Sequence, residues 1–285
     1  MKAFPSPVDL LNVIARIGAT RPLSVVRYGR HPRHVLDIYP AAKDGPSPVI
    51  VFFYGGGWED GERSDYLFVG HALAERGITT VIPDYRVFPE VRFPGFLQDA
   101  AEAMRWTVDH IAEFGGDPRR VIAMGHSAGA HIAAMLAFDR QWLLELDLDA
   151  SVDLRAIIGL AGPYDFLPLH SRTLKQIFGP ENGLADTQPI NFVDAFAPPA
   201  FLATGNNDPS VDPGNTIRLA ERMRSVGGEA ETKLYDRVNH RTLIGAFAPP
   251  LRFLAPVLDD VAGFALKHTD QQLPPGRPAA QERSA

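Results

Sequence analysis

The sequence predicts an α/β fold: a mostly parallel central sheet of about eight strands, flanked by helices on both faces. Three observations support this prediction. Short apolar runs rich in β-branched residues alternate along the chain with helix-forming segments, as in strands joined by crossover helices. Apolar residues make up 45% of the 285 residues, which is enough for a substantial core. One apolar run, Arg120–Met124, passes through a glycine-bounded turn directly into a helical segment.

The elements follow one another in a regular order. Strands are predicted near residues 25–29, 34–39, 49–53, 78–82, 120–124, 155–160, 200–204 and 231–236. Helices are predicted near residues 64–76, 96–113, 127–138, 214–226 and 242–266. Because only a short turn separates the first two strands, we expect an antiparallel pair at that edge of the sheet. A short amphipathic helix around Leu10–Gly18 is expected to pack near the mouth of the site.

The turn between the fifth strand and its helix has the sequence Gly125-His126-Ser127-Ala128-Gly129. A serine at the apex of such a turn has a strained backbone, and glycine two residues to either side lets the chain double back. The turn exposes the hydroxyl of Ser127 and directs the backbone N–H of Ala128 at the same space. This is the pattern of a nucleophile elbow in acyl transfer, and a plain glycine-rich turn before a helix is the alternative. The glycine patterns of nucleotide-binding loops do not follow this strand.

A second glycine-rich segment, Tyr54-Gly55-Gly56-Gly57-Trp58, follows the predicted third strand. Three consecutive glycines lose much conformational entropy on folding, so they indicate a close approach of the backbone to a ligand. In a hydrolase that ligand is the oxyanion of a tetrahedral intermediate, and each fixed N–H donor lowers the barrier by roughly 3 to 4 kcal/mol. A flexible loop is the alternative.

These motifs resemble those of the α/β-hydrolase superfamily over about residues 25–266. The matching segments are Tyr54–Trp58, Asp84–Glu90, Gly116–Pro118 and Gly125–Gly129, in that order. The most similar branch contains carboxylesterases with a His-Gly-Gly-Gly loop, including hormone-sensitive-lipase-like, feruloyl-esterase-like and arylformamidase-like proteins. By family position, the amides of Gly56 and Gly57 would form the oxyanion hole together with that of Ala128. Tyr54 stands where the family usually has histidine, and the change is expected to alter the support of the loop more than the oxyanion hole itself.

Serine catalysis needs a base, and in this fold the chain order is serine, then an acid, then histidine. Three histidines follow the elbow at a distance. His268 lies in a terminal segment that looks disordered, and His170 lies in a polar, proline-rich segment typical of a solvated loop. His240 lies between the last strand and a helix, where an α/β fold places catalytic groups. We therefore predict His240 as the base, with a surface-loop histidine as the alternative.

Two aspartates are candidates for the acid, since both follow the next-to-last strand. Asp212 precedes Pro213 and a helical pattern, so a role as helix cap explains it completely. Asp208 lacks such a role, lies nearer the strand end and matches the family's acid position. We predict Asp208 as the acid. His126 and His131 flank the nucleophile and are expected to pack or hydrogen-bond beneath the elbow.

The lapse of the alternating pattern between about 162 and 198 is predicted to be a partial lid, with a plain surface excursion as the alternative. Five prolines interrupt this segment and a sixth, Pro199, follows it directly, and only Thr173–Phe178 has the pattern of a short helix. The domain is expected to span residues 1–268. Residues 269–285 are rich in Gln, Pro, Arg, Ala and Ser and are predicted to be a disordered tail.

Composition narrows the classes of partner. The net charge of −6 argues against nucleic acid or an anionic membrane. There is no cysteine, the other histidines show no metal-ligand spacing, and the chemistry needs no cofactor, so neither a metal nor a cofactor is expected. With no signal-peptide pattern and no run of transmembrane length, a cytoplasmic protein is expected.

The sequence thus predicts a serine carboxylesterase acting on a small ester with a short or medium acyl chain or an aryl group. Trp58 and Phe88 are predicted to line its substrate pocket, although each could equally be core packing. Two other functions stay open. One is hydrolysis of an amide-type C–N bond, such as a formamide, by the same three residues. The other is a non-catalytic binding protein on a hydrolase fold. The oligomeric state is left open.

Overall fold

A single sheet organises the protein, whose computed structural model describes residues 24–179 and 182–270. Its strands are β1 (Ser24–Arg27), β2 (Val35–Tyr39), β3 (Ser47–Phe53), β4 (Thr79–Pro83), β5 (Gly116–His126), β6 (Leu154–Leu160), β7 (Ala200–Gly205) and β8 (Ala230–Tyr235). Their spatial order is β1-β2-β4-β3-β5-β6-β7-β8. The β1–β2 and β2–β4 pairs are antiparallel, and every other pair is parallel. The predicted α/β architecture is confirmed, as is the antiparallel edge.

Helices cover this sheet. The α-helices of the described residues are α1 (Leu67–Glu75), α2 (Gly95–His110), α3 (Ala128–Phe138), α4 (Gln141–Leu144), α5 (Ala150–Asp153), α6 (Arg172–Phe178), α7 (Gly214–Ser225), α8 (His240–Gly245) and α9 (Val257–Thr269). The short 3₁₀ helices are Arg63–Tyr66, Ile111–Phe114, Leu184–Thr187, Pro189–Phe192 and Pro249–Leu254. The helix predicted over Thr173–Phe178 is confirmed as part of α6.

The centre of the sheet lies in the core. Every residue of β3 is buried, which explains why its stretch Val49–Phe53 is continuously apolar instead of alternating. Helix α3 is buried along its whole length, because it packs on β5 and β6 and against α2. A helix surrounded on all sides needs apolar residues all round. Ser127 immediately precedes this helix, so the best-packed part of the molecule holds it in place.

The prediction of one helix over residues 242–266 is wrong. The segment forms α8, a 3₁₀ helix at Pro249–Leu254 and then α9. Pro249, Pro250 and Pro256 have no backbone N–H to donate, and their rings clash with the preceding turn, so a continuous helix is impossible. The placement of His268 in a disordered terminus is also wrong. It lies in α9, is 3% exposed and packs against the ring of Phe264.

Two predictions fall on chain outside the described residues: the amphipathic helix at Leu10–Gly18 and the tail beyond residue 270. Across residues 24–179 and 182–270, no helix combines the length and the apolar character that crossing a bilayer requires. The described residues of the segment from 162 to 198 contain α6 and two 3₁₀ helices.

The parallel strands bring the predicted functional residues to one edge of the sheet. The glycine loop follows β3, Ser127 follows β5, Asp208 follows β7 and His240 follows β8. The carboxyl ends of parallel strands share one edge, where open α/β sheets bind their ligands. The topology therefore gathers residues that are more than a hundred positions apart in the chain.

Candidate active site

Ser127 occupies a sharply strained turn between β5 and α3. Its φ is 55° and its ψ is −123°, a conformation that residues with a side chain rarely adopt. The flanking glycines make the turn possible. A Cβ on Gly125 would lie 2.1 Å from the carbonyl oxygen of Gly129, and a Cβ on Gly129 would lie 2.0 Å from that of Phe53. Both distances are far below any real contact, so only glycine fits at these two positions.

A continuous chain of hydrogen bonds joins the three side chains predicted to act together. The hydroxyl of Ser127 lies 2.8 Å from Nε2 of His240, and Nδ1 of His240 lies 2.7 Å from Oδ2 of Asp208. A carboxylate can only accept, so Nδ1 carries the hydrogen and Nε2 presents its lone pair to the serine. The imidazole is therefore held in the tautomer that can take a proton from Ser127.

The carboxylate of Asp208 is fixed on its other side as well. Its Oδ1 accepts hydrogen bonds from the backbone N–H groups of Ser210 (2.8 Å) and Val211 (3.0 Å), and its side chain is fully buried. Buried carboxylates need such donors, because an unpaired charge is costly to remove from water. The same loop that carries the acid thus also anchors it.

Asp212 lies beside the helix that the sequence predicts it to cap, but the cap residue is Pro213, so the predicted cap is off by one residue. Its Oδ1 accepts from the backbone N–H of Gly214 at 3.0 Å, at the start of α7, and its Oδ2 pairs with Arg218 at 3.3 Å. Helix α7 begins at Gly214, one residue later than a start at Pro213 would give. Asp212 is hydrogen-bonded to this helix start, whereas the carboxylate that contacts His240 is that of Asp208.

A helix cap fixes the position of His240. Asn239 precedes α8, and its side-chain oxygen accepts from the backbone N–H groups of Arg241 and Thr242, both at 3.1 Å. Thr242 returns the contact by accepting from the backbone N–H of Asn239 at 2.8 Å. This reciprocal pair is a capping box, which sets the direction in which the chain enters the helix.

His126 and His131 both lie beneath the elbow, in line with the prediction. Nε2 of His126 donates to the backbone carbonyl of His240 at 2.9 Å, and Nε2 of His131 donates to that of Thr187 at 2.8 Å. Burial lowers the pKa of His126 to about 3, with a smaller contribution from His240, and burial lowers the pKa of His131 to about 4. Both imidazoles are therefore neutral near pH 7. One ties the elbow to the loop of His240, and the other ties α3 to the 162–198 segment.

The glycine loop lies against the elbow. A Cβ on Gly55 would lie 3.1 Å from Cβ of Ser127, so the two backbones are in close contact. Gly56 and Gly57, the predicted oxyanion donors, have φ values of 127° and 63° and line the same cavity as Ser127 and Ala128. As the first residue of α3, Ala128 has an N–H with no acceptor inside the helix.

A cavity of about 870 Å³ opens above Ser127 and His240. Its walls come from the glycine loop, from Tyr66, from the Ser210–Asp212 turn and from α7 and α8. The 162–198 segment contributes the apolar part of the lining, which includes Pro163, Phe166, Leu167, Pro168, Leu169 and Leu174. His170, set aside as a solvated loop residue, is exposed at this mouth.

Of the two aromatic residues predicted to line the pocket, the structure places only one there. Trp58 lines the cavity, where its ring packs edge-on against Phe178 and His131. Phe88 is not among the lining residues, and this prediction is corrected. Its backbone N–H bonds the carbonyl of Trp58 at 2.8 Å, while its ring lies beneath the guanidinium of Arg92. Phe88 therefore supports the loop of Trp58 from behind instead of facing a ligand.

Sequence reasoning missed several lining residues. Arg241 directly follows the predicted base, which is a signal that could have drawn attention to it. Tyr66 and Arg218 also line the cavity, and no motif in the sequence distinguished either of them. Among the residues that the structure describes, no group of three His, Asp or Glu side chains is placed to share a metal ion.

The fold and the arrangement of serine, histidine and aspartate are those of an α/β hydrolase. Within that superfamily the chain belongs to the BD-FAE family, whose model matches residues 36–223. Two curated relatives illustrate the similarity. The probable isoprenylcysteine alpha-carbonyl methylesterase ICMEL1 of Arabidopsis thaliana is 34% identical over 76% of this chain and 50% of its own length. The carboxylesterase NlhH of Mycobacterium tuberculosis (strain CDC 1551 / Oshkosh) is 30% identical over 73% of this chain and 72% of its own length.

A solved esterase structure has a similar fold. The esterase Est2 of Thermogutta terrifontis, in its butyrate-bound form, superposes with a TM-score of 0.70 at 26% identity, covering 89% of this chain and 96% of that one. The plant methylesterases are considerably longer proteins, since the chain spans between 50% and 58% of their length.

Proposed function

We propose that the protein is a serine carboxylesterase that hydrolyses small esters through an acyl-serine intermediate. The observation that carries this proposal is the unbroken hydrogen-bond chain from Ser127 through His240 to Asp208, set at the floor of an open cavity. The family, the esterase names of the relatives and the esterase structures of similar fold support the same activity.

In the first half of the reaction, the hydroxyl oxygen of Ser127 attacks the ester carbonyl while Nε2 of His240 takes its proton. The buried carboxylate of Asp208 stabilises the resulting imidazolium. The N–H of Ala128 and those of Gly56 and Gly57 donate to the oxyanion. His240 then protonates the leaving alcohol, and the acyl group remains on Ser127.

The second half releases the acid. A water molecule replaces the alcohol, His240 accepts its proton, and the water oxygen attacks the acyl carbonyl. The same N–H donors stabilise the second tetrahedral intermediate. When it collapses, the proton returns from His240 to the oxygen of Ser127, and the carboxylic acid leaves. Every proton that moves is thus held by His240.

The cavity supports short or medium acyl chains or aryl groups. Its volume of about 870 Å³ is in the range of small-molecule sites, and its apolar wall comes from the 162–198 segment. This segment fits the role of a partial lid, since it both covers the cavity and packs on Trp58 through Phe178 and Phe166. Est2 of Thermogutta terrifontis has been solved with butyrate bound, which is consistent with a short acyl group here.

The test is hydrolysis of p-nitrophenyl esters from acetate to palmitate by wild type, Ser127→Ala and the control Ser225→Ala. Ser225 is an exposed serine at the end of α7, so its loss removes a hydroxyl far from the cavity. We expect short esters to be cleaved, S127A to lose roughly 10⁴- to 10⁶-fold in kcat, and S225A to match wild type. Unimpaired turnover by S127A, or a wild type that is folded and inactive on every ester, would refute the proposal.

A further inference from the structure

The glycine loop is a closed, strained structure. Gly56, Gly57, Trp58 and Gly61 all have φ between 61° and 127°. Glycine adopts this region at little cost, but Trp58 does not, and such a residue persists only where its surroundings hold it. The backbone carbonyl of Gly56 accepts from both Glu59 and Asp60, which folds the loop back on itself. Something outside the loop must therefore fix its two ends.

The ring of Tyr54 fills the base of this loop. It is fully buried between the rings of Tyr85, at 4.7 Å, and Tyr66, at 5.5 Å. A Cβ on Gly61 would lie 3.0 Å from this ring, so the end of the loop rests on the side chain that begins it. The hydroxyl of Tyr85 also donates to the backbone carbonyl of Tyr54 at 2.6 Å, immediately before Gly55.

Arg33 joins the two ends of the loop. One guanidinium nitrogen donates both to the hydroxyl of Tyr54 at 3.0 Å and to the carbonyl of Gly61 at 2.7 Å. Its Nε donates to the carbonyl of Tyr85 at 2.8 Å. A planar guanidinium holds several acceptors in fixed directions, which an ammonium group cannot do. The contact therefore constrains the orientation of the loop as well as its position.

Asp84 connects the loop to the sheet. It directly follows β4 and is 5% exposed. Its Oδ1 accepts from the hydroxyl of Tyr54 at 2.9 Å and from the backbone N–H of Arg63 at 2.7 Å, while its Oδ2 pairs with the Arg63 guanidinium. Arg63 also contacts Asp37 of β2 at 2.7 Å. The hydroxyl of Tyr54 thus donates to a carboxylate that is itself held from two directions.

We propose that Tyr54 is the positioning residue of the glycine loop, whose amides are the predicted oxyanion donors. Arg33, Asp84 and Tyr85 hold Tyr54 in place. The proposal rests on the carboxylesterase function proposed above. The hydroxyl of Tyr54 is buried and already bonded to Asp84 and Arg33, so it does not donate to the substrate. Its part is to hold the N–H groups of Gly56 and Gly57 in the direction that the oxyanion requires.

The phenol suits this role because it does not change its protonation state. Burial, reinforced by the carboxylate of Asp84, raises the pKa of Tyr54 well above its ordinary value, although Arg33 acts in the opposite direction. The donor hydrogen therefore remains in place at neutral pH. Tyr54 therefore keeps its hydrogen bonds to Asp84 and Arg33 across the range around pH 6.5, in which an unperturbed histidine would titrate.

The test uses Tyr54→Phe, with Tyr235→Phe as the matched control. Y54F keeps the stacked ring and removes only the hydroxyl. Y235F removes a hydroxyl that donates to Asp260 of α9 at 2.6 Å, at a residue that does not line the cavity. Two measurements are made: hydrogen exchange of the peptide spanning residues 54–62, and kcat and KM for p-nitrophenyl butyrate. Arg33→Lys serves as a second variant, which keeps the charge but not the planar group.

We expect faster exchange in the loop peptide of Y54F and R33K, with the strands elsewhere unchanged. We also expect kcat to fall about 10- to 100-fold with KM within about twofold, because misplaced donors weaken the transition state more than binding. Loop exchange and kcat in Y54F equal to those of Y235F would overturn the proposal, as would a rise in KM at constant kcat. If wild type hydrolyses no ester, the proposed function fails, and loop exchange alone decides whether Tyr54 holds the loop.

Discussion

At the scale of single residues, two aspartates in one loop have different roles. Asp208 and Asp212 are four positions apart in one loop, and both follow β7. Asp208 is buried against His240, whereas the side chain of Asp212 is 66% exposed and bonds the start of α7. The two aspartates differ in role because the loop directs the carboxylate of Asp208 inward and that of Asp212 outward. The sequence favours Asp208 because it lies nearer the strand end and matches the family's acid position, whereas the cap expected at Asp212 is Pro213 in the structure.

Asparagine substitutions at these two positions should differ strongly. Asp208→Asn keeps the size of the side chain but no longer holds His240 in the correct tautomer, and we expect kcat to fall by about 10⁴-fold. Asp212→Asn, the matched control, should retain kcat within a few-fold and lose at most about 1 kcal/mol of stability from the helix start. Steady-state kinetics and thermal unfolding of both variants provide the measurement. Similar losses of kcat in the two variants would contradict the assignment.

The residues that sequence could not place are those whose direction depends on distant chain. Phe88 and Trp58 are both aromatic residues after a predicted strand, and composition gives no reason to separate them. Trp58 faces the cavity because the glycine loop turns it there, with a φ of 61°. Phe88 instead packs behind the loop of Trp58. In contrast, the elbow motif predicted the exposed position of Ser127, and the place of His240 after the last strand predicted the contact that the two side chains make.

At the scale of secondary structure, strands were easier to predict than helices. The buried strands β3, β6 and β7 are mostly apolar, and their bounds in the structure lie within two residues of those predicted. The C-terminal segment failed because its apolar period continues across Pro249, Pro250 and Pro256, although the chain cannot remain helical there. β5 begins at Gly116, four residues earlier than predicted, because Gly116 pairs with Ser47 despite its turn-like sequence.

The packing of the 162–198 segment against the cavity can be tested in helix α6. Phe178, at its end, is 2% exposed and contacts the rings of Trp58, Phe166 and His131. We expect Phe178→Ala to destabilise the protein by about 3 to 4 kcal/mol through the cavity it leaves, and to lower kcat/KM by releasing Trp58. Phe253→Ala, at a residue 76% exposed, should change neither quantity appreciably. The check is urea unfolding alongside ester kinetics, and equal stability of the two variants would argue against this packing role.

At the scale of the whole molecule, the sheet edge collects the site and two buried histidines link it to its surroundings. His126 bonds the loop of His240, while His131 bonds the 162–198 segment. Burial favours the neutral form of both rings in the folded protein. Their pKa values, about 3 and about 4, lie below the unfolded value of 6.5, so the unfolded chain binds more protons throughout that interval. The contribution of these two histidines to the free energy of unfolding is therefore complete above pH 6.5 and decreases as the pH falls toward 4.

This dependence can be measured by urea unfolding between pH 7.5 and 4. His131 alone should contribute a loss of about 3 kcal/mol over the interval, from a shift of some two to three pKa units. In His131→Phe the loss should be smaller by about that amount, whatever the variant's stability at pH 7.5, because one titrating group is gone. A pH dependence identical to that of wild type would show that His131 is not held neutral in the folded protein.

Acylation of Ser127 can be followed by rapid-mixing hydrolysis of p-nitrophenyl butyrate with mass spectrometry of the quenched protein. We expect p-nitrophenol to be released faster than butyrate in the first turnover. We also expect a butyryl adduct on the peptide that contains Ser127, absent in S127A and retained in S225A. Hydrolysis without any adduct under conditions that trap the first turnover, or an adduct at another residue, would contradict it.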